Sequence, residues 1–149
     1  MPFVCKICEK CPTSHSLTKY SETPDLLVYY TCPAIATNNE TDGIIYHYNG
    51  MLSEINGKNW IWILDLKDFG MKQFLEIGNA IALVKLITKK YSNNLKKIIV
   101  VNQNSFTTII YKIIKPFLTS EMQNIIYFSD KKESIINKNN FENNNVLHI

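Results

Sequence analysis

Cys5, Cys8, Cys11 and His15 fall within eleven residues, spaced Cys-x2-Cys-x2-Cys-x3-His, and Cys32 follows at the end of an apolar run. Thiolate and imidazole are the donors zinc prefers, and a tetrahedral structural site needs four of them. Cys5-x2-Cys8 has the spacing of a zinc knuckle. The next pair follows too closely for the usual finger, so Cys32 stands as an alternative ligand. Free thiols are the competing state, and a disulfide is disfavoured in a reducing compartment. Nucleophilic cysteine chemistry requires a separate base and an orienting acid, and no such set is apparent.

Asp65 and Asp68 close a strongly apolar run, where a magnesium-dependent phosphotransfer enzyme would set its carboxylates. No glycine-rich phosphate loop or Asp-x-Asp pair accompanies them. Capping a helix that starts near Met71 is the simpler role for Asp68. His47, between Tyr46 and Tyr48, is expected on a strand in a structural role. No catalytic set emerges, and the chain is expected not to be an enzyme.

The elements that must hold these side chains alternate between strand and helix signals. Residues 26–31 (Leu-Leu-Val-Tyr-Tyr-Thr) and 44–48 (Ile-Ile-Tyr-His-Tyr) are aromatic and β-branched runs bounded by turn formers, which predicts two strands. Trp60-Ile61-Trp62-Ile63-Leu64 follows the turn signal Asn56-Gly57-Lys58-Asn59 and is apolar on both faces, as a central covered strand must be. Residues 71–91 carry the longest helical period, and 97–101 form another strand buried on both faces. Ser105 is placed to cap a helix over 106–117, where Phe106, Ile109, Ile110, Ile113, Ile114 and Phe117 recur at helical spacing. Pro116 ends or kinks that helix. A helical turn at 120–124, a strand at 125–128 and a short helix at 131–137 follow.

This order predicts an α/β fold, a mostly parallel sheet of about five strands with crossover helices. Ligands of such sheets sit beyond the carboxyl ends of the strands, which here carry Asp65, Asp68, Asn102, Asn104 and Asp130. Residues 1–20 are expected to be an irregular Cys-containing arm, 21–138 the α/β domain and 139–149 an Asn-rich tail.

A chain of 149 residues suffices for one domain that buries roughly 70% of its unfolded surface. All sixteen basic residues are lysine. That excludes an arginine finger, a bidentate guanidinium–phosphate clamp and arginine readout of guanine. The net charge of +3 is dispersed, with no basic stripe interleaved with stacking aromatics, so nucleic acid is not an expected partner. Peripheral contact with an acidic membrane is compatible with the lysine pairs. The first ten residues carry charges where a signal peptide needs an apolar run, and residues 80–87 are too short to span a bilayer. A cytoplasmic location is therefore expected. The 21 Ile, 17 Asn and 16 Lys have A+T-rich codons, as in a large cytoplasmic DNA virus or an A+T-rich protist. For a viral protein, host cytoplasm or virion would follow.

Trp62-Ile63-Leu64-Asp65-Leu66-Lys67, the long helix, Tyr91 and Ile98-Ile99-Val100-Val101-Asn102 together resemble the lipid-binding lobe of CRAL-TRIO proteins. So does Tyr111-Lys112-Ile113-Ile114-Lys115-Pro116-Phe117-Leu118, followed by Ile125-Ile126-Tyr127-Phe128. The likeness covers about residues 60 to 138, without the family's helical N-terminal domain. It implies non-catalytic binding of a phospholipid or similar hydrophobic molecule between the sheet and a gate-like helix near residues 106–118. On that resemblance Phe106, Ile109, Ile110, Ile113, Ile114 and Phe117 would line the ligand, and Lys131 and Lys132 would meet a headgroup. Tyr91 is followed by Ser92-Asn93, where the family has Pro-Glu. The alternative is the same fold with a collapsed pocket, serving as a protein-interaction or structural module, with a structural zinc in the arm.

Overall fold

The computed structural model describes residues 3–129. The described chain runs α1 (Lys6–Lys10), β1 (Thr18–Glu22), β2 (Leu26–Thr31), α2 (Thr41–Leu52), β3 (Asn59–Asp65), α3 (Met71–Leu75), α4 (Ile77–Lys90), β4 (Leu95–Val101), α5 (Thr107–Ile114), α6 (Ser120–Asn124) and β5 (Ile126–Phe128). The five strands lie side by side in chain order, with β1 antiparallel to β2 and the other pairs parallel. This is the α/β sheet with crossover helices that the sequence predicts.

Trp60, Ile61, Trp62 and Ile63 of β3 are all buried, which explains why this run has no polar alternation. On one face of the sheet Leu27, Tyr29, Trp60, Trp62, Ile98 and Val100 pack with Ile44, Tyr48 and Leu52 of α2, Ile87 of α4 and Met122 of α6. On the other, Val28, Ile61, Ile63, Ile99 and Val101 pack with Tyr20, Leu26 and Tyr30. Among the described residues, this second cluster contains only strand residues.

Several expectations are corrected. Residues 44–48 are not a strand but part of α2, because Ile44, Tyr48 and Leu52 recur every fourth residue and all three are buried on the sheet. The helix over 71–91 divides at Glu76, where Glu76 N–H bonds Gln73 O at 3.0 Å and Asn79 N–H bonds Glu76 O at 2.9 Å, both tighter than an α-helical turn. Asp68 does not cap α3. It takes a left-handed conformation (φ 59°), and the Gln73 side chain accepts from Gly70 N–H instead. Ser105 does not cap α5, since Asn104 Oδ1 accepts from Phe106 N–H and Thr107 Oγ1 accepts from Asn104 N–H. The N-terminal arm contains α1, and β1 begins within it. The helix expected over 131–137 lies outside the described residues, as do Asp130 and the Asn-rich tail.

Large aromatics in the sheet need partners for their polar tips. Trp60 Nε1 donates to Tyr91 O at 2.9 Å, and Tyr29 hydroxyl donates to Met51 O at 3.1 Å. Trp62 Nε1 and the Tyr48 hydroxyl both donate to Thr31 Oγ1, at 2.9 and 3.3 Å, so one hydroxyl on β2 ties β3 to α2. Replacing Thr31 by Val keeps the shape and removes the acceptor. Two buried donors left unpaired should cost about 2–4 kcal/mol of stability, measured by urea unfolding against the parent chain.

Candidate functional site

A cavity of about 200 Å³ lies between the helix-covered face of the sheet and helices α2, α4 and α5. Trp62, Leu64, Ile98 and Val100 form its floor. Ala80, Leu83 and Val84 of α4 form one wall, and Ile110, Tyr111 and Ile114 of α5 form another. These groups offer dispersion and desolvation but no catalytic chemistry. The polar lining includes Glu76, Asn79, Asn38 and His15. Their segments are joined, since Asn79 Nδ2 donates to Asn39 O at 2.9 Å and Asn38 N–H donates to Ser14 O at 3.0 Å. Among the described residues, Glu76 Oε2 and His15 Nε2 are the buried side-chain polar atoms with no hydrogen-bond partner.

Beside this end of the cavity stands a second constellation. The ligating atoms of Cys5, Cys8, His15 and His47 all lie within 4.8 Å of one another. His15 Nδ1 is 3.6 Å from Cys5 Sγ and 3.4 Å from Cys8 Sγ, and His47 Nδ1 is 3.8 Å from Cys8 Sγ. Burial lowers the pKa of both imidazoles, and each also feels its surroundings: His47 adds to the lowering at His15, while Leu17 O opposes it at His47. Burial likewise raises the Cys8 thiol. Cys11 is exposed, and Cys32 is buried elsewhere, with Sγ 3.7 Å from Lys67 O. Neither belongs to the group of four.

A family model of the CRAL/TRIO domain matches residues 28–146. The chain belongs to the CRAL/TRIO family. Members of this family are in general lipid-binding or lipid-transfer proteins rather than enzymes. Among solved structures, Sfh5 matches this CRAL/TRIO chain with a TM-score of 0.64 at 14% identity, over 80% of this chain and 50% of that one. The likeness is one of fold, and the chain spans half the length of Sfh5. No curated protein matches the chain at a significant level. No described helix is long and apolar enough to cross a membrane.

Within the CRAL/TRIO sheet, the six expected ligand-lining residues separate. Ile110 and Ile114 line the cavity. Phe106 packs its ring against Phe69 and Phe74, at centroid distances of 6.0 and 5.6 Å. Ile109 is exposed, Ile113 is half-buried, and Phe117 lies under Lys85 Nζ at 4.9 Å. The face of α5 toward the cavity is Thr107, Ile110, Tyr111 and Ile114. Lys131 and Lys132 lie outside the described residues.

The polar residues at the carboxyl ends of β3 and β4 bond one another. Asp65 is buried, and its carboxyl accepts from Asn102 Nδ2 at 2.6 Å, from Lys67 N–H at 2.9 Å and from the Tyr30 hydroxyl. Burial first, and then Asp65, pushes the Tyr30 hydroxyl well above its ordinary pKa. Asn104 Nδ2 reaches Leu66 O and Phe69 O at 3.3 and 3.1 Å. Asp65 is thus used to hold two loops together, the role opposite to a magnesium carboxylate. Asp65→Ala should destabilise the fold by about 3 kcal/mol or more, because three donors lose their shared acceptor. Added Mg²⁺ should leave the urea midpoint of the parent chain unchanged.

Proposed function

We propose that this chain binds one hydrophobic molecule in the cavity between the sheet and helices α4 and α5. The observation that carries the reading is the cavity itself, with apolar walls supplied by the sheet and by helices α2, α4 and α5. Its size narrows the ligand. A cavity of roughly 150 Å³ suffices for a benzene-sized molecule. About 200 Å³ therefore suits a compact ring system or part of one acyl chain, whereas a two-chain phospholipid requires α5 to move outward.

Unpaired polar atoms narrow it further. A buried acceptor without a donor is costly, so Glu76 Oε2 favours a ligand that brings an O–H or N–H. It disfavours a phosphate or carboxylate at that end. The absence of arginine agrees, since any anionic headgroup would have to be held by lysine and backbone. The favoured class is a neutral amphiphile with one hydroxyl, held by its apolar body.

Native mass spectrometry of the purified chain should show a co-purified small hydrophobic molecule that organic extraction removes. The extracted chain should then take up a long-chain alcohol in preference to the matching fatty acid, and Glu76→Gln should shrink that preference. Ile110→Trp places an indole in the cavity and should weaken uptake at least about tenfold, or 1.4 kcal/mol. Absence of any bound or acquired hydrophobic molecule, or uptake unchanged in Ile110→Trp, would leave the collapsed-pocket interaction module as the reading.

A further inference from the structure

We propose that Cys5, Cys8, His15 and His47 form a structural zinc site that clamps the N-terminal arm onto α2. Zinc–sulfur and zinc–nitrogen bonds of about 2.3 and 2.0 Å at tetrahedral angles give an S···N edge of about 3.5 Å. The three S···N separations, 3.4, 3.6 and 3.8 Å, bracket that edge. Both imidazoles present Nδ1, the atom closer to the backbone, to the thiols. The set Cys2His2 excludes the hard cations, which take oxygen ligands, and matches zinc.

Two independent features support a built site. The outer nitrogen of His47, Nε2, lies 2.9 Å from Leu17 O. A carbonyl can only accept, so Nε2 carries the proton and Nδ1 presents its lone pair to the cluster. This is how ligating histidines are oriented in metal sites. The second feature is the surface of α2 beneath the arm. Gly43, His47 and Gly50 share one helix face at spacings of four and three residues. A Cβ at Gly43 would stand 3.1 Å from Ile7 Cδ1, and one at Gly50 would stand 2.1 Å from the Phe3 ring. The helix is shaved on either side of His47 to admit the arm, so that α1 can bring its cysteines to the histidine.

The ion would join a loop of chain near the N-terminus to a helix over thirty residues away, a closure that the short α1 cannot hold by itself. A further consequence rests on the ligand reading above. Ligation through Nδ1 leaves His15 Nε2 protonated, a fixed donor from a residue on the cavity wall. Zinc content does not depend on that reading, and the two fail separately.

The test is elemental analysis of the full chain, refolded under reducing conditions with equimolar zinc and passed through a desalting column. About one equivalent of zinc is expected, against less than a tenth of an equivalent for Cys8→Ser and His47→Gln. Cys11→Ser and Cys32→Ser should retain the parent value, because those thiols lie outside the cluster. Should the ligand variants not fold, the parent chain still decides the matter. Cobalt(II) in place of zinc should give the visible bands of a tetrahedral thiolate complex, and zinc should bleach them. Less than a tenth of an equivalent in the parent chain, an octahedral cobalt spectrum, or equal zinc loss in Cys11→Ser and Cys8→Ser would each overturn the proposal.

Discussion

A sheet buried on both faces cannot leave the indole and phenol tips of its aromatics unpaired, and that constraint organises this molecule. Trp60, Trp62, Tyr29 and Tyr48 fill the interior, and each must send one polar atom to an acceptor. The acceptors are never on the same strand. Thr31 takes two of these bonds, from β3 and from α2, while Tyr91 O and Met51 O take the others. Dispersion packs the aromatic bodies without preference for direction. The hydrogen bonds supply the direction, fixing the height of α2 above the sheet, and Trp62, Tyr48 and Thr31 are then also three of the cavity's lining residues.

The cavity follows from where that scaffold stops. Protein interiors are packed to the density of organic crystals, so an unfilled apolar space is a departure that needs a cause. At about 24 cal/mol per Å³, a closed cavity of about 200 Å³ would cost at most about 5 kcal/mol, a large part of the stability of a domain this size. Helix α5 is short, eight residues, and ends in a 3₁₀ turn at Lys115–Phe117 that contains Pro116. Its side chains touch the space from one side while α4 bounds the other. A bound apolar molecule would recover the lost contacts without rebuilding either helix. The turn that follows α5 packs back on α4, with Lys85 Nζ 4.9 Å above the Phe117 ring and Thr88 Oγ1 3.5 Å from Phe117 O, so the space is bounded by both elements.

The parallel strands were legible because runs buried on both faces have a composition no helix surface needs. Asp65 and Asn102 were legible as residues but not as partners, since the bond between them spans a whole crossover of 37 residues. Residues 44–48 misled for a compositional reason. In a chain so rich in Ile, Tyr and Asn, β-branched and aromatic runs arise in helices as well, and the spacing of Ile44, Tyr48 and Leu52 carried the true signal. The phase of α5 was hidden by the same bias. Ile109, Ile110, Ile113 and Ile114 make two adjacent stripes of identical chemistry, and only the position of the sheet decides that Ile110 and Ile114 face inward. A strand reading leaves His47 outside any constellation, although Gly43 and Gly50 flank it within the helix at helical spacing and flag a close approach.

The arm is where this chain departs from what the family alone would supply. The matched region begins at residue 28, beyond Cys5, Cys8 and His15, whereas His47 lies within it. The arm therefore docks on a helix within the matched region, and α2 carries glycine at 43 and 50, where a side chain would meet Ile7 or Phe3. A helix interior gives up roughly 1 kcal/mol for each glycine relative to alanine. Two such positions on one face are sustained only if the docked segment returns more than they remove. Phe3 and Ile7 return part through packing, and the convergence of two thiols on two imidazoles offers a source large enough for the remainder. Through His15 that same convergence reaches the cavity wall, so the segment outside the family match helps shape the pocket within it.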